Sequence, residues 1–271
     1  MSEPDRTTVL DQSQPNSARI HSALLGGKDS YTADQAIADS LARGKIAPAI
    51  TESRRFALRA VAYLIDHHQV TQFVELGCGF PHAPNIHDVA GDRVVSARTL
   101  YIDNDPIAAT HARALMTEHA THTAEIDLTD TTAVVEAITT VLDTSAPIAL
   151  SLSGTAELIA DPAGTIAALA SALPAPTWLV LTHISADIHG HDINSAAETL
   201  RAAGIAYQPR SHADITELLA GYRLYTPGLI TPHRWRPDPI HPGRYDHATE
   251  PCLPFIRDLS AYAAIGQWCR T

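Results

Sequence analysis

Lysine is nearly missing from this 271-residue chain: of 19 basic residues only Lys28 and Lys45 are lysines, the other 17 being arginines. Against 30 acidic residues this leaves a formal net charge of −11. Such a balance argues against a nucleic-acid groove or an anionic membrane surface as partner, because phosphate recognition needs clustered cations. Cysteine is also scarce. Cys78, Cys252 and Cys269 are odd in number and widely spaced, with no Cys-x-x-Cys, so neither a disulfide framework nor a cysteine zinc site is expected. No run approaches the ~18 apolar residues of a membrane span. The polar start, residues 1–17, lacks the apolar core of a signal peptide. A cytoplasmic protein is the expectation.

What the chain does have is apolar content. At 45% hydrophobic residues it can bury a sizeable core. Residues 1–69 read as helices, over 18–25, 33–41 and 51–66, the last with Phe56, Ala60, Val61, Leu64 and Ile65 on one face and a cap expected at Thr51. From residue 72 strands alternate with helices. Strand-like runs fall at 72–76, 99–102, 123–126, 148–152 and 178–182, and helical runs at 107–118, 132–142, 162–173, 194–204 and 213–219. Late strands over 228–231 and 262–268 would add an antiparallel edge. The alternation predicts an α/β fold, a mostly parallel sheet with helices on both faces. A helical cap over 1–69 and a sheet domain over 70–271 is the expected division.

In such sheets ligands bind where the strands end. The first strand runs into Glu75-Leu76-Gly77-Cys78-Gly79, and glycines there let backbone N–H groups approach a ligand without an intervening Cβ. The third glycine of a dinucleotide loop is missing, its place taken by His82, and Pro81 and Pro84 delay the next helix. The second strand ends in Asp103-Asn104-Asp105. An acid at that spacing can take both ribose hydroxyls, which suits NAD and S-adenosylmethionine equally. The third leads to Asp127-Leu128, where a carboxylate can accept from an adenine amino group. Singly each acid reads as a helix cap, and Asp105 before Pro106 fits one. Carboxylates at three successive strand ends together point to an adenosyl ligand.

The segments "SARIHSALLGGKDSYTADQ", "FVELGCGFP", "NIHDVA", "LYIDNDPIAATHARAL", "LVLTHISAD" and "PHRWRPD" resemble a bacterial family of S-adenosylmethionine-dependent methyltransferases with a helical N-terminal extension and a GGKD signature. The resemblance covers nearly the whole chain from about residue 15. It implies a class I, seven-stranded Rossmann-like fold with an antiparallel last strand, and S-adenosylmethionine as cofactor. Carried over position by position, the glycine motif falls on Glu75, Gly77 and Gly79, the ribose acid on Asp103 with Asn104 beside it, and the adenine-side acid on Asp127 with Leu128. The cofactor has no pyrophosphate, so a loop without the third glycine suits it. Chain 150–159 departs from the family pattern: Glu157 stands where a histidine would align. In such folds this segment, including Ser153, lies beside the methionine end of the cofactor.

Methyl transfer from a sulfonium is an in-line displacement in which a protein supplies alignment, desolvation and, where needed, a base. Candidate bases are Glu157 and His183, each balanced by a structural reading as a helix-start carboxylate or a satisfied histidine. Gly26-Gly27-Lys28-Asp29 reads either as a helix C-cap or as a lid whose Lys28 or Asp29 reaches the cofactor's amino-acid end, with Arg19 and Tyr31 on the same surface. No metal is expected; His189-Gly190-His191-Asp192 is a chance cluster by this reading. Cys78 packs rather than reacts, His67-His68 serves a helix end, and Asn85 and His87 either line the pocket or cap a helix. The acceptor is expected to be a small molecule, and homo-oligomerisation is left open. Two other uses of the site compete with methyl transfer: cyclisation or elimination of the cofactor itself, and binding without catalysis. An NAD enzyme is the weaker reading.

Overall fold

Strands β1 (Gln72–Leu76), β2 (Arg98–Asp103), β4 (Ile148–Ser153) and β5 (Thr177–Ile184) carry apolar side chains on both faces, and every residue of β1 and β5 is buried. Alternate residues point to opposite faces. Val74, Leu100 and Leu150 therefore join one apolar cluster while Phe73, Tyr101 and Ala149 join another. β3 (Ala120–Glu125), with exposed residues at both ends and the rest at most half-buried, lies at the edge. The computed structural model describes residues 13–117, 120–174, 176–236 and 258–269. Cys252, Glu118 and the last two residues of "PHRWRPD" lie outside them.

The sheet has seven strands in the order β3-β2-β1-β4-β5-β7-β6. The first five are parallel, and β7 (Ala261–Trp268) runs antiparallel to both β5 and β6 (Tyr222–Leu224). Of the two late strands expected, 262–268 forms as β7 and the other does not. Residues 228–231 contribute only a single bridge, Ile230 to Ala263, while the edge is β6, three residues long and too short to show a period-2 pattern.

One face is covered by α6 (Thr131–Val141), α7 (Pro162–Ala172) and α9 (His212–Leu218), the other by α3 (Ile46–His68), α4 (Ile86–Gly91) and α5 (Pro106–Leu115). Asp105 caps α5, accepting from Ile107 N at 2.7 Å, with Pro106 at the first position. α3 begins five residues before the expected cap. Pro48 sits in its first turn, where the missing N–H has no helical partner to lose, and Thr51 donates its hydroxyl back to the Ala47 carbonyl at 3.1 Å. Among the described residues no helix is long and apolar enough to cross a membrane.

A third apolar cluster joins α1 (Ser17–Leu24), α2 (Thr32–Ala42) and the start of α3 to α8 (Gly190–Ala202) and the end of β5. Two polar devices anchor α1. Asn16 caps it, accepting from Arg19 N at 3.1 Å, and donates its amide to Asp105 Oδ2 at 2.8 Å, above β2. Arg19 meets Asp34 of α2 at 2.6 Å, with side chains 5% and 0% exposed. A buried pair costs much when broken, because the surviving charge stays desolvated. Asp34→Ala is expected to lower stability by about 3–5 kcal/mol, and Asp34→Asn by less, as measured by urea denaturation.

Candidate functional site

The β1 turn is held by its own backbone. Gly77 N and Cys78 N both donate to the Ile102 carbonyl, at 2.8 and 3.1 Å, and Gly79 N donates to Asp103 Oδ2 at 2.7 Å. Gly77 and Gly79 have φ of +72° and +60°, the left-handed region that glycine enters without strain. A Cβ on Gly77 would lie 2.4 Å from Cγ2 of Thr155, so the first glycine is fixed by contact as well as by conformation. Asp103 also accepts from Asp105 N through Oδ1 at 2.9 Å. Each oxygen of this buried carboxylate keeps a lone pair for a further donor.

These strand ends open into a cavity of about 350 Å³. Glu75, Gly77, Gly79, Asp103, Asn104, Asp127, Leu128 and Ser153 all line it. Its roof comes from the N-terminal helices: Ala18, Ile20 and His21 of α1, and Ile50, Ser53 and Arg54 of α3. Arg54 meets Glu75 Oε1 at 3.2 Å and donates to the carbonyls of His82 and Pro84 at 2.9 and 3.2 Å, tying α3 to the loop after the glycines. Burial raises the Glu75 carboxyl above its usual range, and Arg54 opposes that rise. Burial likewise raises Asp103, against the backbone N–H bonds it accepts. Asp127, which is exposed, is lowered by the Thr129 hydroxyl and amide at 2.7 and 2.8 Å. Behind the surface of the lining, Ser53 Oγ and Arg54 Nε are buried without a hydrogen-bond partner among the described residues.

Other expected residues sit elsewhere. Glu157 and His183 are 1% and 0% exposed and lie behind the cavity wall. Glu157 Oε1 accepts from Ile184 N at 2.6 Å. The His183 ring lies between the Ile184 carbonyl, 2.8 Å from Nδ1, and the Arg210 guanidinium, 2.9 Å from Nε2. Their contacts are structural, and the expectation of a base at either position is not carried forward. Lys28 and Asp29 are exposed outside the cavity, with Asp29 3.9 Å from His111 of α5. The two glycines before them close α1 instead, donating to the Ala23 and Ser22 carbonyls at 3.0 and 2.8 Å. Lys28 and Asp29 are therefore corrected from lid to helix-end residues. Arg19 and Tyr31 stack on each other, 4.9 Å from guanidinium to ring.

Asn85 caps α4, and His87 is bonded to the Tyr101 hydroxyl at 2.8 Å behind it. His189 stands at the start of α8, 3.0 Å from Ser260 Oγ. Among the described residues no group of three His, Cys, Asp or Glu is placed to hold a metal ion. Burial holds the Cys78 thiol well above its ordinary range.

A family model described as S-adenosyl methyltransferase matches residues 3–256. The chain belongs to that family. It is thus a methyltransferase that uses S-adenosylmethionine. A structure of a DUF574 family protein from Streptomyces avermitilis is 28% identical, with a TM-score of 0.83, over 95% of this chain and 99% of that one. A Thermobifida fusca protein assigned as a methyltransferase is also 28% identical, with a TM-score of 0.84, over 99% and 100%. The plantazolicin methyltransferase in complex with S-adenosylhomocysteine (SAH) shares the fold at 11% identity and a TM-score of 0.52, over 93% and 95%. No curated protein matches the chain.

The residues present fit the cofactor. Acids stand at three successive strand ends, and a backbone turn is bare of side chains where a Cβ would collide. Sequence reasoning missed Asn16, His21, Ser53, Arg54 and Thr155. All but Thr155 lie at or in helices with ordinary patterning, and only the tertiary fold brings them over β1.

Gly77→Ala is expected to weaken SAH binding at least about tenfold by calorimetry, since the side chain meets Thr155 in a backbone conformation it disfavours. His21 supplies a pH test. Burial, then Arg54 and His82, lower its pKa to about 4, against 6.5 for the free side chain. Between those values the unfolded chain binds the extra proton, so stability from this residue is complete above pH 6.5 and is lost as pH falls toward 4. The loss amounts to about 3 kcal/mol. His21→Gln is expected to remove that part of the acid sensitivity in denaturation curves at pH 7 and pH 4.5.

Proposed function

We propose that this methyltransferase transfers the methyl group to a small-molecule acceptor enclosed beneath the N-terminal helices. The observation that carries this reading is the site itself: a cavity of about 350 Å³ between the strand ends and helices α1 and α3. Concave sites of this size take small ligands. A nucleic-acid acceptor is disfavoured by the net charge of −11 and by the commitment of Arg54 to Glu75 and to loop carbonyls.

When bound, S-adenosylmethionine supplies an electrophilic methyl group on a sulfonium. The chain's own residues hold and orient. Asp103 would accept the ribose hydroxyls with the lone pairs left by Gly79 N and Asp105 N. Asp127, with Asn104 and Leu128 beside it, would bound the adenine side. Glu75, Ser53, Arg54 and Ser153, which line that part of the cavity, would serve the polar amino-acid end. The α1 and α3 roof excludes water, which strengthens each of these interactions. Alignment alone supplies much of the rate in such a displacement, about 7–11 kcal/mol in favourable intramolecular cases, so a dedicated base is not a requirement of the site.

Asp103→Ala is expected to weaken SAH binding by one to two orders of magnitude, as two charge-assisted hydrogen bonds are lost at about 1.5–3 kcal/mol each before water compensates. Incubation with S-adenosylmethionine alone, followed by mass spectrometry, should show no turnover. Cofactor consumption without an acceptor would replace this reading with cyclisation or elimination.

A further inference from the structure

The cavity has two unlike halves. Around β1, β2 and the segment after β3 it presents glycines and carboxylates, the polar half. Away from those strand ends its wall is the third apolar cluster: Ile20, Leu24 and Ile50 from the N-terminal helices face Leu200, Ile205 and Tyr207 from the opposite side. The charged residues of the lining, Glu75, Asp103, Asp105 and Asp127, stand at or just past the strand ends, and Arg54 is paired with one of them. S-adenosylmethionine carries a carboxylate, an ammonium, a sulfonium and ribose hydroxyls, so its polar parts have nothing to meet there. Burying any of these charges against aliphatic side chains without a partner would be strongly unfavourable.

One polar group borders both halves. His21 projects from α1, and its Nε2 stands 3.6 Å from the position a Cβ on Gly154 would take, beside the end of β4. Its ring makes no hydrogen bond to any described residue. The groups around it are Arg54, already paired with Glu75, and His82, and both disfavour a charge on the ring. At neutral pH the imidazole is therefore uncharged and able to accept a hydrogen bond. Tyr207 adds a phenol that burial, and then the Glu157 carboxylate behind the wall, keep protonated.

We infer that the apolar half is the acceptor subsite, and that it takes an uncharged, largely apolar small molecule whose O–H or N–H group meets His21. This rests on the polar half being the cofactor's. An anionic acceptor would find, among the described residues of the lining, only Arg54, which Glu75 already holds, and would face Glu75 and Asp103 across the cavity. A cationic one would leave water for aliphatic walls.

Calorimetry with SAH-saturated enzyme at pH 7.5 tests the assignment, using 4-propylphenol, 4-propylanisole, 4-propylbenzoate and 4-propylbenzylamine as probes. The expected result is that the phenol binds at least about tenfold tighter than either charged probe, a gap of about 1.4 kcal/mol. It should also bind tighter than the anisole, which lacks the O–H, and His21→Ala should abolish that last difference. Leu200→Phe should weaken the phenol at least about tenfold while SAH affinity stays within about twofold; should that variant fail to bind SAH, Ile205→Phe is read in its place. Charged probes binding as tightly as the phenol would overturn the inference. So would filled variants that bind the phenol like the wild type, or His21→Ala leaving the phenol–anisole gap intact. Failure of the wild-type protein to bind SAH would instead overturn the placement of the cofactor.

Discussion

The sheet changes winding direction between β1 and β4, and the site depends on that reversal. From β1 the chain adds β2 and β3 on one side, then returns to place β4 and β5 on the other. Connections leaving adjacent strands in opposite directions cannot cover the carboxyl ends between them, so a crevice is left there. Into it open the Gly77 turn, the Asp103 carboxylate and the Ser153-Gly154 end of β4. The backbone bonds from Gly77, Cys78 and Gly79 to the end of β2 hold the floor in place before any ligand arrives.

A crevice becomes a chamber only when something roofs it, and here the roof is built from α1 and α3. Asn16 links α1 to the β2 end and, through its N–H, to Asp34 at 2.9 Å. Arg19 closes the same network from within α1. Arg54 does the corresponding work on α3, reaching both Glu75 of the floor and the loop that follows the glycines. Roof and floor are thus joined by charge-assisted bonds in places with little water, where such bonds are strong and their loss is costly.

The electrostatics follow from the same enclosure. Desolvation raises Glu75 and Asp103 and lowers His21, in each case disfavouring charge. Arg54 counters the effect at Glu75 and reinforces it at His21. One guanidinium therefore favours an ionised carboxylate on the cofactor side and a neutral imidazole between the two halves of the chamber.

Periodicity made the α/β alternation and the five parallel strands legible, because strands buried on both faces read as short, mainly apolar runs such as 72–76 and 148–152. The glycines and acids at the strand ends were legible too, since strand ends in such a sheet converge on one rim whatever the details of packing. The start of α3 and the short edge strand β6 were not: a first-turn proline hides a helix start, and three residues carry no period. Glu157 looked chemical because it stands where the family resemblance places a histidine, and His183 because it closes a strand-like run. Only the fold shows them spent on Ile184 and Arg210, while His21, Ser53 and Arg54, unremarkable on their helices, are brought over β1. The sequence by itself determined the ligand-bearing rim of the sheet, because local patterning places strand ends. The tertiary structure decided which helix residues face that rim and how its cavity divides into polar and apolar halves, because those depend on contacts between segments dozens to more than a hundred residues apart.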